Sequence, residues 1–479
     1  METILRVLSE DEKSQVHERT LKILAETGVK INTAKGRQYL KDAGAKVDEN
    51  SKIVKFPRQL VEESLRLAPK KFTLGARRPG WDLTMNAGEC SLMVDGEGVS
   101  VIDRQTGEIR PSTYKDWLEA TRLIDAIDEF GVYWDTVWRG DLEESISSSV
   151  KYWRHLFRNF SKHVQDSSPK AEFSPWLLEI IQAIFGDKET VRRTHPFSFL
   201  VCPKSPLEIE EEETDAYLEL LGWDIPVGVM PMPLMGSTGP GNMISMVILG
   251  NCEVLAMLCL IQAAAPGTPF IYAPALAMMN PRTGSYSAGA IENGLLSSAA
   301  IEMARYYGLP VEGTGGVTDA YIPGIQASYE RALNLLLPML SWPDLIVGSG
   351  LFGGSMILSL EQLVIDAEVF RMCKQAHRGI LTIEEMWLDD VIQRIGPGGH
   401  FLGEKSTVIS MRSGEWLFPR LGVHETLEKW QMAGKKIVLE EAREKVENLL
   451  STHEPLPLCL LYTSPSPRDL STSRMPSSA

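Results

Sequence analysis

The chain has 479 residues, 44% of them hydrophobic and 23% charged, so it can bury a sizeable core and is longer than one small domain requires. With 48 basic against 63 acidic residues its net charge is −15, which excludes a general nucleic-acid binder or a basic membrane-surface protein and leaves room for a cationic ligand. Six scattered cysteines (Cys90, Cys202, Cys252, Cys259, Cys373 and Cys459) lack ligand-like spacing, which points away from a disulfide scaffold or zinc site and toward a reducing compartment.

Along the chain, Ser9-Glu10-Asp11-Glu12 is a capping box ahead of Val16, Leu21, Ile23 and Leu24 at helical spacing. The acidic start does not read as a secretory signal, and the expected location is cytoplasmic. Further helices are expected over 35–43 and 57–67. Leu92-Met93-Val94 and Val99–Ile102 flank Asp95-Gly96-Glu97-Gly98, which predicts a hairpin. Residues 1–112 thus read as an N-terminal α+β cap. Short apolar strands follow near 131–137, 159–164, 197–201, 225–230, 269–272, 310–312 and 345–347, with helices between them. Ser205-Pro206-Leu207-Glu208 gives the strongest helix start, and Thr382-Ile383-Glu384-Glu385 repeats the box. Tyr329, Leu333, Leu336, Leu337 and Leu340 define an apolar helical face. Residues 244–265 are long and apolar enough to span a membrane, but Asn251, Glu253 and Gln262 interrupt them, so a buried helix is expected and no membrane partner. Seven strands alternating with helices favour a (β/α)8 TIM barrel over 113–450, with the eighth strand unplaced. Residues 451–479, Ser/Pro-rich from Thr463, read as a disordered or extraneous tail.

Candidate chemistry begins with absences: no GxGxxG, Walker lysine, HExxH or GxSxG occurs. Gly236–Gly241 and Gly313-Thr314-Gly315-Gly316 are consistent with tight βα loops. Tyr133-Trp134-Asp135-Thr136-Val137-Trp138-Arg139 ends a strand, and alternation sends Tyr133 and Trp134 to opposite faces, one of them the barrel interior. Aromatic residues there box a quaternary ammonium or simply fill the strand–helix layer. His163 is a donor to a carboxylate, a base or a core residue. Glu253 must be paired, protonated or functional if buried. Asp95 and Glu97 matter if their loop lies over the barrel mouth.

Val201-Cys202-Pro203-Lys204-Ser205-Pro206-Leu207-Glu208, Asn251-Cys252-Glu253-Val254-Leu255, Tyr307-Gly308-Leu309-Pro310, Glu361–Asp366 and Gly396-Pro397-Gly398-Gly399-His400-Phe401-Leu402, taken in order, resemble the trimethylamine:corrinoid methyltransferase family. The resemblance runs from about Leu8 past Phe418. It implies a TIM barrel moving a methyl group from an amine to the Co(I) of a small, separate corrinoid protein, with no cofactor held by this chain itself. Trimethylamine enzymes of that family carry pyrrolysine in the loop that here reads Gly313-Thr314-Gly315-Gly316-Val317-Thr318-Asp319-Ala320, with Val317 at or near its place. This resembles the non-pyrrolysine branch, which implies a quaternary amine such as glycine betaine, with trimethylamine as the alternative. The implied substrate residues are Asp95, Glu97, Tyr133, Trp134, His163, Glu253, Tyr321 and Phe352. Gly315, Gly316 and Val317 would face the corrinoid, and His163, Arg139 or Arg282 would hold a betaine carboxylate. Two other readings are a glycoside hydrolase using Asp135 and Glu312, and a non-catalytic quaternary-ammonium binder. A homo-oligomer is expected.

Overall fold

The computed structural model describes residues 2–143, 145–167, 170 and 172–458. Eight parallel strands form a closed barrel in chain order: β1 (Ser91–Val94), β2 (Val132–Tyr133), β3 (His163–Ser167), β4 (Phe197–Val201), β5 (Val227–Val229), β6 (Phe270–Tyr272), β7 (Glu312–Thr314) and β8 (Leu345–Ser349). Ladders run β2-β3-β4-β5-β6 and β7-β8-β1. Single parallel bridges, Leu92 to Phe130 and Tyr272 to Val311, close the two seams.

The predicted hairpin is therefore overturned. Leu92-Met93-Val94 is the missing eighth strand, paired in parallel with Leu345–Ser349, and the barrel starts at Ser91 rather than after residue 112. A four-residue run buried on both faces lacks the alternation that marks a half-exposed hairpin arm. Ser100–Ile102 does form a hairpin, but with Ile109–Pro111.

Each strand is followed by helical structure. Those used below are α1 (Tyr114–Ala126), α4 (Glu211–Leu218), α5 (Met243–Ala264), α7 (Ile325–Ser341) and α8 (Leu360–Arg378). The 22-residue α5 is apolar all round and mostly buried. Its burial has a simple cause: the barrel covers one side, and the N-terminal helices Glu10–Glu26, Ala34–Asp42 and Arg58–Leu67 pack on the other. Ser9 caps the first of these with the expected reciprocal box.

Ser205-Pro206-Leu207-Glu208 does not start a helix. Glu253 of α5 accepts hydrogen bonds from Ser205 Oγ (2.9 Å) and Leu207 N–H (2.8 Å), so the groups that would cap a helix are already engaged. Glu208–Ile209 then joins the N-terminal sheet beside Lys30–Ile31, and α4 begins only at Glu211. The box at Thr382 likewise gives a single 3-10 turn over Glu384–Met386, and the next helix begins at Asp389.

The α7 stripe holds only in part: Tyr329 and Leu333 are exposed and Leu336 packs on the core, while the buried side carries Arg331 and Asn334 among Ala327, Leu335, Pro338 and Met339. A second hairpin, Phe72–Leu74 with Leu83–Met85, packs with Met93, Val132, Leu200, Ile271 and Leu345 and plugs the N-terminal end of the barrel. Residues Val438–Thr452 form a helix that returns to α8 and α1. Residues 453–458 of the expected tail are tied down, with His453 Nε2 2.8 Å from Asp125 and Arg122 donating to the His453 carbonyl. Most of the expected tail, from Cys459 on, lies outside the described residues.

Candidate active site

The barrel's C-terminal mouth holds a cavity of about 400 Å³, within the range of small-molecule sites. Every strand except β3 contributes to its wall or to the loop just beyond: Asp95, Trp134, Cys202, Met230, Ala275, Glu312 and Val347. Apolar side chains predominate, and the lining includes no lysine, arginine or histidine.

Glu312 is the exceptional residue. Its carboxylate is buried in the barrel, and neither oxygen has a hydrogen-bond partner in the described structure. Burial pushes its pKa up to about 7, with Gln165 of β3 as the polar neighbour that opposes the shift. The Gln165 amide is also unpartnered, so the two groups face each other without a regular hydrogen bond. Gly228 of β5 lies beside them: a Cβ there would stand 3.6 Å from Gln165 Nε2 and 3.7 Å from Glu312 Oε2. The nearest atom to such a Cβ is Leu200 Cδ1 at 2.6 Å, so glycine here makes room for Leu200 beside the two polar groups.

Asp95 occupies a different position on the wall, held by the Gly96 N–H (2.8 Å) and the Ser355 hydroxyl. Burial raises its pKa, and those two hydrogen bonds oppose the rise. Trp134 packs on the interior cluster with Val132, which settles the strand's alternation. Cys202 has its thiol pushed up by burial, Glu213 and Glu312, so it is held neutral and is a poor nucleophile.

The loop after β7 is shaped by α7. Asn334 Oδ1 accepts from the N–H groups of Gly316 (2.6 Å) and Val317 (3.2 Å), and its amide donates to the Val317 carbonyl (2.8 Å). Arg331 donates to the Gly316 carbonyl at 2.6 Å. Gly316 has φ +81°, and a Cβ on Gly315 would lie 2.7 Å from the Asn334 carbonyl oxygen, so glycine is required at both. This is why the buried side of α7 carries Arg331 and Asn334 among its apolar residues.

Of the residues named from sequence, Asp95, Trp134, Gly315 and Val317 share the cavity. Gly316 shapes the loop without lining it, and Tyr321 stands exposed beyond it. Four expectations are corrected. Tyr133 points into the strand–helix layer, accepting from Trp117 Nε1 and donating to Asp135, because its neighbours Val132 and Trp134 take the interior. His163 lies deep in the barrel between the Gly75 carbonyl (3.0 Å) and Ser198 Oγ (2.9 Å), and burial lowers its pKa to about 3. Glu253 holds the loop after β4. Phe352 is buried under the Arg331 guanidinium, 4.9 Å from its ring.

Glu97 lines a neighbouring pocket with Asp135, Arg139, Tyr152 and Asp166. Arg139 pairs with Asp135 at 2.6 Å and with Glu97 at 3.4 Å, and Tyr152 donates to Asp166 at 2.6 Å. Arg139 is thus committed to acids, and Arg282 is exposed in a loop outside the cavity lining. Asp135 and Glu312 line separate pockets and form no catalytic pair. Glu312 as a cavity residue, Gln165, Gly228 and Asn334 were missed. A glutamate inside an otherwise apolar barrel strand was the one available signal.

A closed (β/α)8 barrel with an enclosed chamber at its C-terminal mouth is an enzyme scaffold for a small molecule. The sequence model of the trimethylamine methyltransferase (MTTB) family matches residues 2–459. A trimethylamine methyltransferase of Desulfitobacterium hafniense is 31% identical over 453 residues, covering 94% of this chain and 90% of that one. A glycine betaine methyltransferase from the same species is 29% identical over 451 residues, covering 93% and 90%. The monomethylamine methyltransferase of Methanosarcina barkeri shares the fold, with a TM-score of 0.50, 13% identity and coverage of 91% and 92%. The chain belongs to the trimethylamine methyltransferase family and is a methyltransferase.

Proposed function

We propose that the protein moves a methyl group from a quaternary amine to the Co(I) of a corrinoid carried by a separate protein. The carrying observation is the placement of Trp134, Asp95 and the unpaired Glu312 in one largely apolar chamber. Such a chamber attracts a methylated cation by charge and by cation–π interaction. The partner's corrinoid would supply a two-electron nucleophile for the methyl carbon, and the C–N pair would stay on nitrogen, which would depart as a neutral amine. No general acid is required, in keeping with a lining that pairs no acid with a base.

The protein's part is to bind, orient and desolvate the cation. Barrel side chains exclude water around the ammonium, and the loop fixed by Asn334 sets the wall at Val317. Around the chamber, Met232, Tyr321, Ile322 and Ile325 are exposed on loops or at a helix start beyond the strand ends. This apolar rim fits a broad macrocycle presented by another protein. Mixing the enzyme with a Co(I) corrinoid protein and glycine betaine, choline, tetramethylammonium or trimethylamine tests the reading. Methyl-Co(III) absorbance with a quaternary amine is expected; its absence with the whole panel refutes it.

A further inference from the structure

We infer that the mouth cavity selects a substrate of net positive charge, a methylated ammonium bearing a neutral arm, and that Glu312 is its counter-ion. The inference rests on the function proposed above for its chemistry, while its test is a binding measurement that needs no methyl transfer.

A carboxylate buried without hydrogen-bond partners is costly, and folding alone gives no reason to keep one. A cation entering the chamber supplies the missing partner. A quaternary ammonium has no N–H to donate, so it needs proximity to negative charge rather than an aligned acceptor. Glu312 offers that from the wall of the cavity. Asp95 adds a second acid to the same lining.

The absence of a base from the lining decides the rest of the substrate. A betaine brings its own carboxylate into a chamber that has two acids and, among the described residues, no cationic side chain. The buried Arg331 and the partly buried Arg139 near the mouth are spoken for. Arg139 pairs with Asp135, and Arg331 pairs with Asp366 at 2.8 Å while donating to the Gly316 and Leu351 carbonyls. Neutral donors such as Thr314 suit a hydroxyl better than a carboxylate facing like charge. The favoured arm is therefore an alkyl or hydroxyalkyl group.

Glu312 acts on binding more than on chemistry. The positive charge leaves nitrogen as the methyl group leaves, so the attraction is greatest in the ground state and fades toward the neutral product. Its loss is expected to raise KM while leaving kcat unchanged or higher.

Calorimetry on the full chain at pH 8 tests this with choline, its uncharged carbon isostere 3,3-dimethyl-1-butanol, and glycine betaine. Choline is expected to bind at least about tenfold tighter than either other probe, as a buried charge contact of one pKa unit would give. Glu312→Gln should reduce the advantage over the isostere to within about threefold while circular dichroism stays native. Gly228→Ala, which forces the cavity-lining Leu200 side chain to shift and leaves the Glu312 charge, should weaken choline binding with the carboxylate still present. Glycine betaine binding as tightly as choline, or an undiminished choline preference in folded Glu312→Gln, overturns the inference. Neither result bears on whether methyl transfer occurs, so the two readings fail separately.

Discussion

Two acidic sites lie side by side at the barrel's C-terminal end and are built on opposite principles. Asp135, Glu97 and Asp166 face Arg139 and the Tyr133 and Tyr152 hydroxyls, so most of their hydrogen-bonding needs are met from within the fold. Glu312 has been given an amide neighbour, a glycine and empty space. The first arrangement holds loops together, and the second is left for something from outside to complete. Acidity alone does not mark a substrate site; an acid whose demands the protein leaves unmet does.

Removing the internal cation should produce the largest effect. Arg139→Ala strands Asp135 and Glu97, and the cost of an uncompensated buried charge is about 3–5 kcal/mol, read as a lower denaturation midpoint in urea. A loss below about 1 kcal/mol would mean the cluster is not an ion-pair scaffold.

Glu312→Gln should do the reverse. The carboxyl pKa is raised from its ordinary 4.5 to about 7 in the folded chain, so its favourable contribution is full below pH 4.5 and is lost as pH rises through 7. Glutamine does not titrate, so the variant should match the wild type near pH 4.5 and exceed it at pH 8 by about 3 kcal/mol. Equal stability at pH 8 would show that the fold already compensates the charge. A site residue whose removal stabilises the apo protein and weakens binding is the expected signature of function held against stability.

Asn334→Ala should cost about 1–3 kcal/mol by freeing three backbone groups of the loop at Gly316 and Val317, and should weaken choline binding in parallel. Stability loss without any change in binding would detach that loop from the chamber. Smallest of all, Glu253→Gln keeps an acceptor for Leu207 N–H and lets its amide donate to Ser205 Oγ, and should leave choline affinity within about twofold, since Glu253 lies outside the cavity. A larger loss of affinity would place Glu253 in the binding site after all.

Much of this architecture was legible in the chain. Strand–helix alternation gave the barrel, and the Ser9 box gave the first helix, because both depend on neighbours within a few residues. Leu92–Val94 was misread because a buried parallel strand and a short hairpin arm look alike over four residues, and its partner is some 250 residues away. Ser205-Pro206 failed as a cap because a distant glutamate captured the donors. The α7 stripe held only in part because two polar residues, Arg331 and Asn334, share the buried side to hold a loop while Tyr329 and Leu333 face outward.

At the site, Asp95 and Trp134 were reachable from strand-end position, whereas Tyr133 and His163 were equally reachable and belong to packing. Period-2 alternation says that two residues differ in face, but not which face is inside.

The sequence by itself determined the barrel, the family and the expectation of a cationic substrate, because periodicity, motif order and net charge are one-dimensional properties. Only the tertiary structure decided which acids are satisfied and which is not. That depends on Arg139 reaching Asp135 and, among the described residues, on no lysine, arginine or histidine joining Glu312 in the cavity lining. Those distances are set by strand register and loop closure, for which one-dimensional order has no counterpart.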